Sequence, residues 1–291
     1  MTQTLPPQTM IGKVELYVAD LDRALHFYQG ALGFQLQGRQ DGTAALGAVG
    51  GSPLVVLNAR PGARPAPKAT GLYHFAVLLP NRKALARLLY QLANLESEVL
   101  QGAADHGVSE ALYLADPDGN GIEVYVDRRR SEWPRDDLGR LQMGTEELNI
   151  DDLLMELKGS NLNAPWEGLP EGTTVGHIHL KVSDLSSTER FYRDVLGFDL
   201  VQRYGSGALF FSAGGYHHHI GANTWTGVGA PPPPADAAGL RWFELLLPDL
   251  NSYNALMGRL EAAGIASEAV EGGLLVRDPS QNTILVHHPV S

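Results

Sequence analysis

The chain has 291 residues, enough for two ordinary domains or one large one. Its formal net charge of −11 argues against a phosphate-neutralising, nucleic-acid-binding protein. The absence of any cysteine excludes disulfides, thiolate catalysis and thiolate-held metal centres. Met1 to Met10 shows no basic-then-apolar secretory pattern, and no apolar run approaches membrane-spanning length, so a soluble cytoplasmic protein without membrane partners is expected.

The first element is a strand in which Val14, Leu16 and Val18 alternate with polar residues. Asp20 then stands as a helix N-cap before Leu21, Leu25 and Tyr28, spaced for one helix face. Leu32-Gly33-Phe34 ends that helix on the residue best able to leave it through a left-handed conformation, and short strands with Gly-rich turns follow. Further on, "IGKVELYVADLDRALHFYQGALGFQL" from Ile11 returns as "VGHIHLKVSDLSSTERFYRDVLGFDL" from Val175. Phe27-Tyr28 falls on Phe191-Tyr192, and Gly33 on Gly197, which marks a duplication. "GLYHFAVLLPNRKALARLLYQL" from Gly71 likewise aligns with "GLRWFELLLPDLNSYNALMGRL" from Gly239, and "ADPDGNGIEVY" from Ala115 with "RDPSQNTILVH" from Arg277.

Four units result, at 11–58, 71–127, 175–224 and 239–288. Residues 1–127 form an N-terminal half and 175–291 a C-terminal half. Between them, 128–174 is a polar linker carrying "IDDLLMELKG" as a short helix. Pro231 to Pro234 make a second connector, because prolines cannot continue a ladder or a helix interior. Arg128-Arg129-Arg130 reads as a solvated loop.

This pattern resembles the glyoxalase, bleomycin-resistance and extradiol-dioxygenase superfamily, also called vicinal oxygen chelate proteins, over nearly the whole chain. The resemblance implies an α+β fold of four βαβββ modules that pair into two cup-shaped sheets. It also implies metal ligands near the start of a module's first strand and on its last strand. The first-strand positions here are Lys13, His74, His177 and Trp242; the last-strand carboxylate position is Glu123 in module two and Leu285 in module four. Pairing within each half leaves both cups short of ligands. Pairing modules two and three gathers His74, His177 and Glu123, the two-imidazole, one-carboxylate set that suits Fe(II) and leaves positions open. Modules one and four would then pair without a metal. A histidine in an apolar strand is ordinarily a hydrogen-bonded core residue, but a buried carboxylate needs compensation, and a cation would supply it.

"HGVSEALYLADPDGNGIE" resembles the extradiol signature through His106, Tyr113, Asp116-Pro117 and Glu123, with Ala104 the one departure. In "GGYHHHIGANTW" the resemblance makes His218 the acid–base group, with His219 and His217 as alternatives. Strand alternation would turn those two away from the face His218 occupies. Tyr113 and His106 would orient the substrate. The implied activity is ring cleavage of a catechol-type aromatic diol by O₂ at Fe(II), Mn(II) accepting the same ligands. Two other readings remain: a glyoxalase-like metal-dependent isomerase or transferase, and a metal-free ligand-sequestering protein. Exposed sheet edges would leave room for a homo-oligomer.

Overall fold

In a computed structural model the described residues are 4–95 and 99–287. The outermost ends of the two expected halves, and the last residue of the fourth unit, lie outside them. Each module contributes a strand, a helix and three more strands. Module one comprises β1 (Met10–Val18), α1 (Leu21–Gly30), β2 (Gln35–Gln40), β3 (Thr43–Gly47) and β4 (Pro53–Ala59). Module two comprises β5 (Gly71–Leu78), α2 (Arg82–Ala93), β6 (Leu100–Asp105), β7 (Ser109–Ala115) and β8 (Gly121–Asp127). The connecting stretch holds α3 (Ile150–Met155), within the segment expected to be helical. Module three has β9 (Thr174–Lys181), α4 (Leu185–Glu189) continued by the π-helical Arg190–Val195, β10 (Asp199–Tyr204), β11 (Ala208–Ser212) and β12 (Ile220–Asn223). Module four has β13 (Gly239–Leu246), α5 (Leu250–Ala262), β14 (Ser267–Val270), β15 (Gly273–Arg277) and β16 (Thr283–His287). Among the described residues no helix is long and apolar enough to cross a membrane.

The helix starts follow local chemistry. Asp20, Asn81, Asp184 and Asp249 each accept a hydrogen bond from the backbone N–H three residues on, satisfying a donor that the first turn would leave free. Gly33 adopts φ +71°, the left-handed exit expected after the first helix.

Two eight-stranded sheets form, in the orders β14-β15-β16-β13-β1-β4-β3-β2 and β10-β11-β12-β9-β5-β8-β7-β6. One sheet therefore joins modules one and four and the other modules two and three, the cross-half pairing that the ligand census required. At each centre two first strands run antiparallel, β1 with β13 and β5 with β9, and each first strand runs parallel to its own module's last strand. The helices and inner strand faces share one apolar core that includes Tyr28, Phe75, Phe211 and Phe243.

The repeated Phe-Tyr and Asp-Pro motifs meet in that core and tie the two sheets together. The Tyr28 hydroxyl donates to Asp116 Oδ2 at 3.2 Å, and Tyr192 donates to Asp278 Oδ2 at 3.1 Å. Asp116 Oδ1 also accepts the backbone N–H groups of Asp118 and Asn120, each at 2.9 Å. Asp278 takes Ser280 and Asn282 in the same way at 2.8 and 2.9 Å. Each carboxylate thus closes its own turn and receives a tyrosine from the preceding module, which lies in the other sheet. Asp116, part of the extradiol-like signature, serves this latch rather than the site.

Tyr192→Phe removes one of the two donors to Oδ2 of the buried Asp278, leaving Asn282 Nδ2 at 2.9 Å. It should lower unfolding free energy by about 1–2 kcal/mol in urea titration without changing metal content; no change would show that the latch contributes nothing.

Candidate metal centre

Sheet registry puts the site residues in two neighbouring rows on the concave face of the second sheet. In one row Tyr113 on β7 opposes Glu123 on β8, Glu123 opposes Ala76 on β5, and Ala76 opposes His177 on β9. In the next, Gly121 opposes His74, His74 opposes His179, and His179 opposes Gly221 on β12. The small residues in these rows leave the space that the imidazoles fill: a Cβ on Gly221 would stand 2.8 Å from Cγ of His179.

His74 and His177 converge on a single carboxylate oxygen. Their Nε2 atoms lie 3.1 and 3.3 Å from Glu123 Oε2, and all three residues are buried. One ligand atom from each falls within 4.8 Å of the others, close enough to share one ion. His74 Nε2 is out of line for a hydrogen bond despite its short distance and stands as a buried polar atom without a partner, as does His177 Nδ1. Such atoms are costly unless a ligand satisfies them, and two imidazoles with one carboxylate form a donor set for a divalent ion of the iron or manganese type. Burial pushes the His177 imidazole down to about 4, against the pull of Glu123, so its ring is neutral and its lone pair available. Burial alone would raise Glu123, but the two imidazoles outweigh it and hold the carboxyl well below its usual range.

Above the triad lies a cavity of about 290 Å³ lined by His74, Glu123, Tyr113, His106, His218 and His179, among others. Tyr73 and Trp225, both partly exposed, stand edge to face with centroids 5.1 Å apart on its wall. His106 Nδ1 donates to the Gly144 carbonyl at 2.7 Å, which leaves Nε2 to accept from the Tyr113 hydroxyl at 2.6 Å. Gly144 belongs to the expected linker, which does more than connect. Its residues 143–145 line the cavity, and Met143 exchanges two hydrogen bonds with the Gln202 side chain, at 2.7 and 2.9 Å. This strap joins modules two and three over the site. Arg128, expected in a solvated loop, instead pairs with Asp105 at 2.6 Å and with buried Glu110 at 3.0 Å.

The three consecutive histidines separate cleanly. They precede β12 rather than lying in it, and all three are buried. His218 lines the cavity with its ring 4.1 Å from that of His177. His217 lies behind it: Nε2 donates to Asp127 Oδ1 at 2.9 Å, and Nδ1 meets His218 Nδ1 at 2.9 Å. Asp127 holds the His217 proton on Nε2, so His217 Nδ1 accepts the His218 Nδ1 proton and His218 Nε2 keeps its lone pair. His219, expected as a further catalytic group, turns away. Its Nδ1 accepts from the Ala213 N–H at 3.2 Å and faces the Ser212 hydroxyl, and it does not line the cavity.

His179 was not singled out from the sequence, although the signal was present. It follows His177 by two residues on an extended strand, and that period places it on the same concave face.

The other cup shows what the same positions do without imidazoles. Glu244 occupies the place of Ala76, and its Oε1 pairs with Lys13 Nζ at 2.8 Å while Oε2 accepts the Lys13 N–H at 3.1 Å. Lys13 also stands over the Trp242 ring, and Leu285 supplies no ligand. Glu15, in the place of His179, accepts from Asn58 at 2.8 Å and pairs with Arg241.

A family model described as the Glyoxalase/Bleomycin resistance protein/Dioxygenase superfamily matches residues 10–124 and 174–286. The chain is 46% identical over 274 residues to a catechol-2,3-dioxygenase of Bacillus subtilis (strain 168), covering 93% of this chain and 94% of that one. Among solved structures, a putative dioxygenase from Bacillus subtilis subsp. subtilis str. 168 superposes with a TM-score of 0.64 at 13% identity, over 99% of this chain and 87% of the other. Glyoxalase I from Zea mays gives 0.57 at 15% identity, over 96% and 92%. At such identities the solved structures establish the fold alone.

Burial also holds His219 down to about 3. In the unfolded chain both it and His177 take up protons below about 6.5, whereas the native fold refuses them until about 3 and about 4. Stability of the metal-free protein should therefore fall as pH drops from about 6.5, by about 2 kcal/mol for each of the two at pH 5. Urea midpoints at pH 7.5 and 5.0 check this, and equal midpoints would contradict it.

Proposed function

The chain belongs to the Glyoxalase/Bleomycin resistance protein/Dioxygenase superfamily, and from that premise we propose that it is an extradiol dioxygenase that opens a catechol-type aromatic diol with O₂. The observation carrying this reading is one cavity lined by His74 and Glu123 and by His218, Tyr113 and His106, with His177, the third member of the triad, packed against Glu123 and His218. The relative named catechol-2,3-dioxygenase supports it at the level of reaction and substrate class.

His74, His177 and Glu123 would hold Fe(II), or Mn(II) in its place. The metal, when bound, would supply coordination for the diol and for dioxygen and carry electron density between them. Every other task falls to the protein. His218 presents Nε2 with a lone pair, because Asp127 and His217 hold its proton on Nδ1; it takes a hydroxyl proton from the entering diol and later returns one to oxygen. Burial, then the neighbouring imidazoles, push His218 well below the usual histidine range, so it meets the diol as a neutral ring able to accept and, once protonated, gives the proton up readily. His217 and Asp127 are positioning residues: they touch no substrate and fix which nitrogen of His218 faces the cavity. Tyr113 has committed its proton to His106, so its oxygen faces the diol as an acceptor and orients it. The strap and the Tyr73–Trp225 pair limit water around the ring. Cleavage beside the diol inserts both oxygen atoms and gives a 2-hydroxymuconic semialdehyde-type product.

Protein loaded anaerobically with Fe(II), then given catechol and air, should consume O₂ and form a yellow ring-opened product. His218→Ala should keep its metal and lose about a hundredfold or more in kcat. Asp127→Asn should lower kcat with KM and metal content nearly unchanged. No turnover across a panel of catechols would sink the assignment, and metal loss in His218→Ala would recast that residue as a ligand.

A further inference from the structure

Four histidines line the cavity: His74, His106, His179 and His218. The proposed ring cleavage uses three of them and gives His179 nothing to do. Yet His179 is 4% exposed, faces His74 across the sheet with ring centroids 5.0 Å apart, and fills the space over Gly221.

Its hydrogen bonding fixes where its proton sits. Asn223 Oδ1 accepts the Trp225 backbone N–H at 3.1 Å, so the NH₂ end of that amide points the other way. That end lies 3.0 Å from His179 Nε2 and donates to it. An Nε2 that accepts carries no proton, so the proton of the neutral ring is on Nδ1. Among the described residues no acceptor meets Nδ1. Unlike His74 Nε2 and His177 Nδ1, this nitrogen is not sealed from the cavity that His179 lines, so a bound molecule can reach it. In the other cup the equivalent arrangement is complete. Asn58 stands where Asn223 stands, and it pins Glu15, whose charge Arg241 neutralises. The asparagine pin is common to both cups; a donor left over belongs to the histidine cup alone.

We propose that His179 contacts substrate, donating its Nδ1 proton to an oxygen of the bound diol from the module-three wall, opposite the Tyr113–His106 pair. The inference rests on the ring-cleavage reading. A diol oxygen that has lost its proton is the acceptor such a donor fits, because a hydrogen bond to an anionic oxygen is among the stronger ones.

The test is anaerobic titration of the Fe(II)-loaded protein with 4-nitrocatechol, read by its visible absorption, together with metal content and thermal midpoint. His179→Leu removes the donor. His179→Asn restores one, since an asparagine Nδ2 stands as far from the backbone as a histidine Nδ1. His179→Leu should keep its metal and bind nitrocatechol about tenfold or more weakly, with His179→Asn within about threefold of the parent. Unchanged binding in His179→Leu overturns the proposal. Equal weakening in both variants also overturns it, since packing would then be the role, and metal loss in His179→Leu overturns it in favour of a ligand. Failure of the parent protein itself to bind nitrocatechol, with iron in place, would instead bring down the ring-cleavage reading on which the proposal stands.

Discussion

A carboxylate buried among imidazoles, with no lysine or arginine beside it, is the constraint around which this fold is arranged. Glu123 is 3% exposed, and among the described residues His74 and His177 are its only charge partners. An isolated carboxylate in such surroundings costs several kcal/mol or shifts its pKa until it is neutral. His177 and His74 hold the carboxyl in its charged form, and burial keeps the His177 ring neutral, with a lone pair to offer a metal. Glu123 therefore acts as a standing demand for a cation. The second cup answers a comparable carboxylate, Glu244, with Lys13. One scaffold thus contains the same problem solved internally on one side and left for a ligand on the other.

That contrast explains how a duplicated chain can carry a single candidate centre. The four modules share caps, turns and latches, so the duplication fixes where side chains are presented but not what they are. At the place of His177 the repeat holds Lys13, at that of His74 it holds Trp242, and at that of Glu123 it holds Leu285. A cation, an indole and an aliphatic chain can close a cup by packing and pairing, and they have nothing to offer a metal. The sheets tolerate both outcomes because the latches joining them, Tyr28 to Asp116 and Tyr192 to Asp278, lie away from either concave face.

Much of this was legible in the sequence, and the reasons are particular. The repeat exposed the modules, and a count of ligand types at equivalent positions was enough to choose the cross-half pairing, because His74, His177 and Glu123 make a set in no other combination. The first helix cap was readable because Asp20 acts on a donor three residues away. What was hidden depends on contacts between distant segments. The resemblance singled out His218, but no local pattern could reveal that His217 would sit behind it on Asp127, ninety positions away. His179 lay within reach of a period-two argument, yet only its closeness to Asn223 gives it a chemical meaning. The strap was read as a polar linker because its role rests on backbone carbonyls and on Gln202, groups with no sequence signature.

The sheet membership of the modules also bears on the order in which the molecule can assemble. Every strand of the histidine cup falls between Gly71 and Asn223, and its central pairing joins positions such as 74 and 179, roughly a hundred residues apart. The central pairing of the other cup joins Val14 to Phe243, roughly twice that separation. Loop closure grows costlier with length and slows the pairing that depends on it. On a growing polypeptide, the histidine cup has all its strands before module four has been made, while β1 must wait for β13. Module one therefore spends synthesis with its central strand edge unfilled, and the late partner that fills it is the module farthest along the chain.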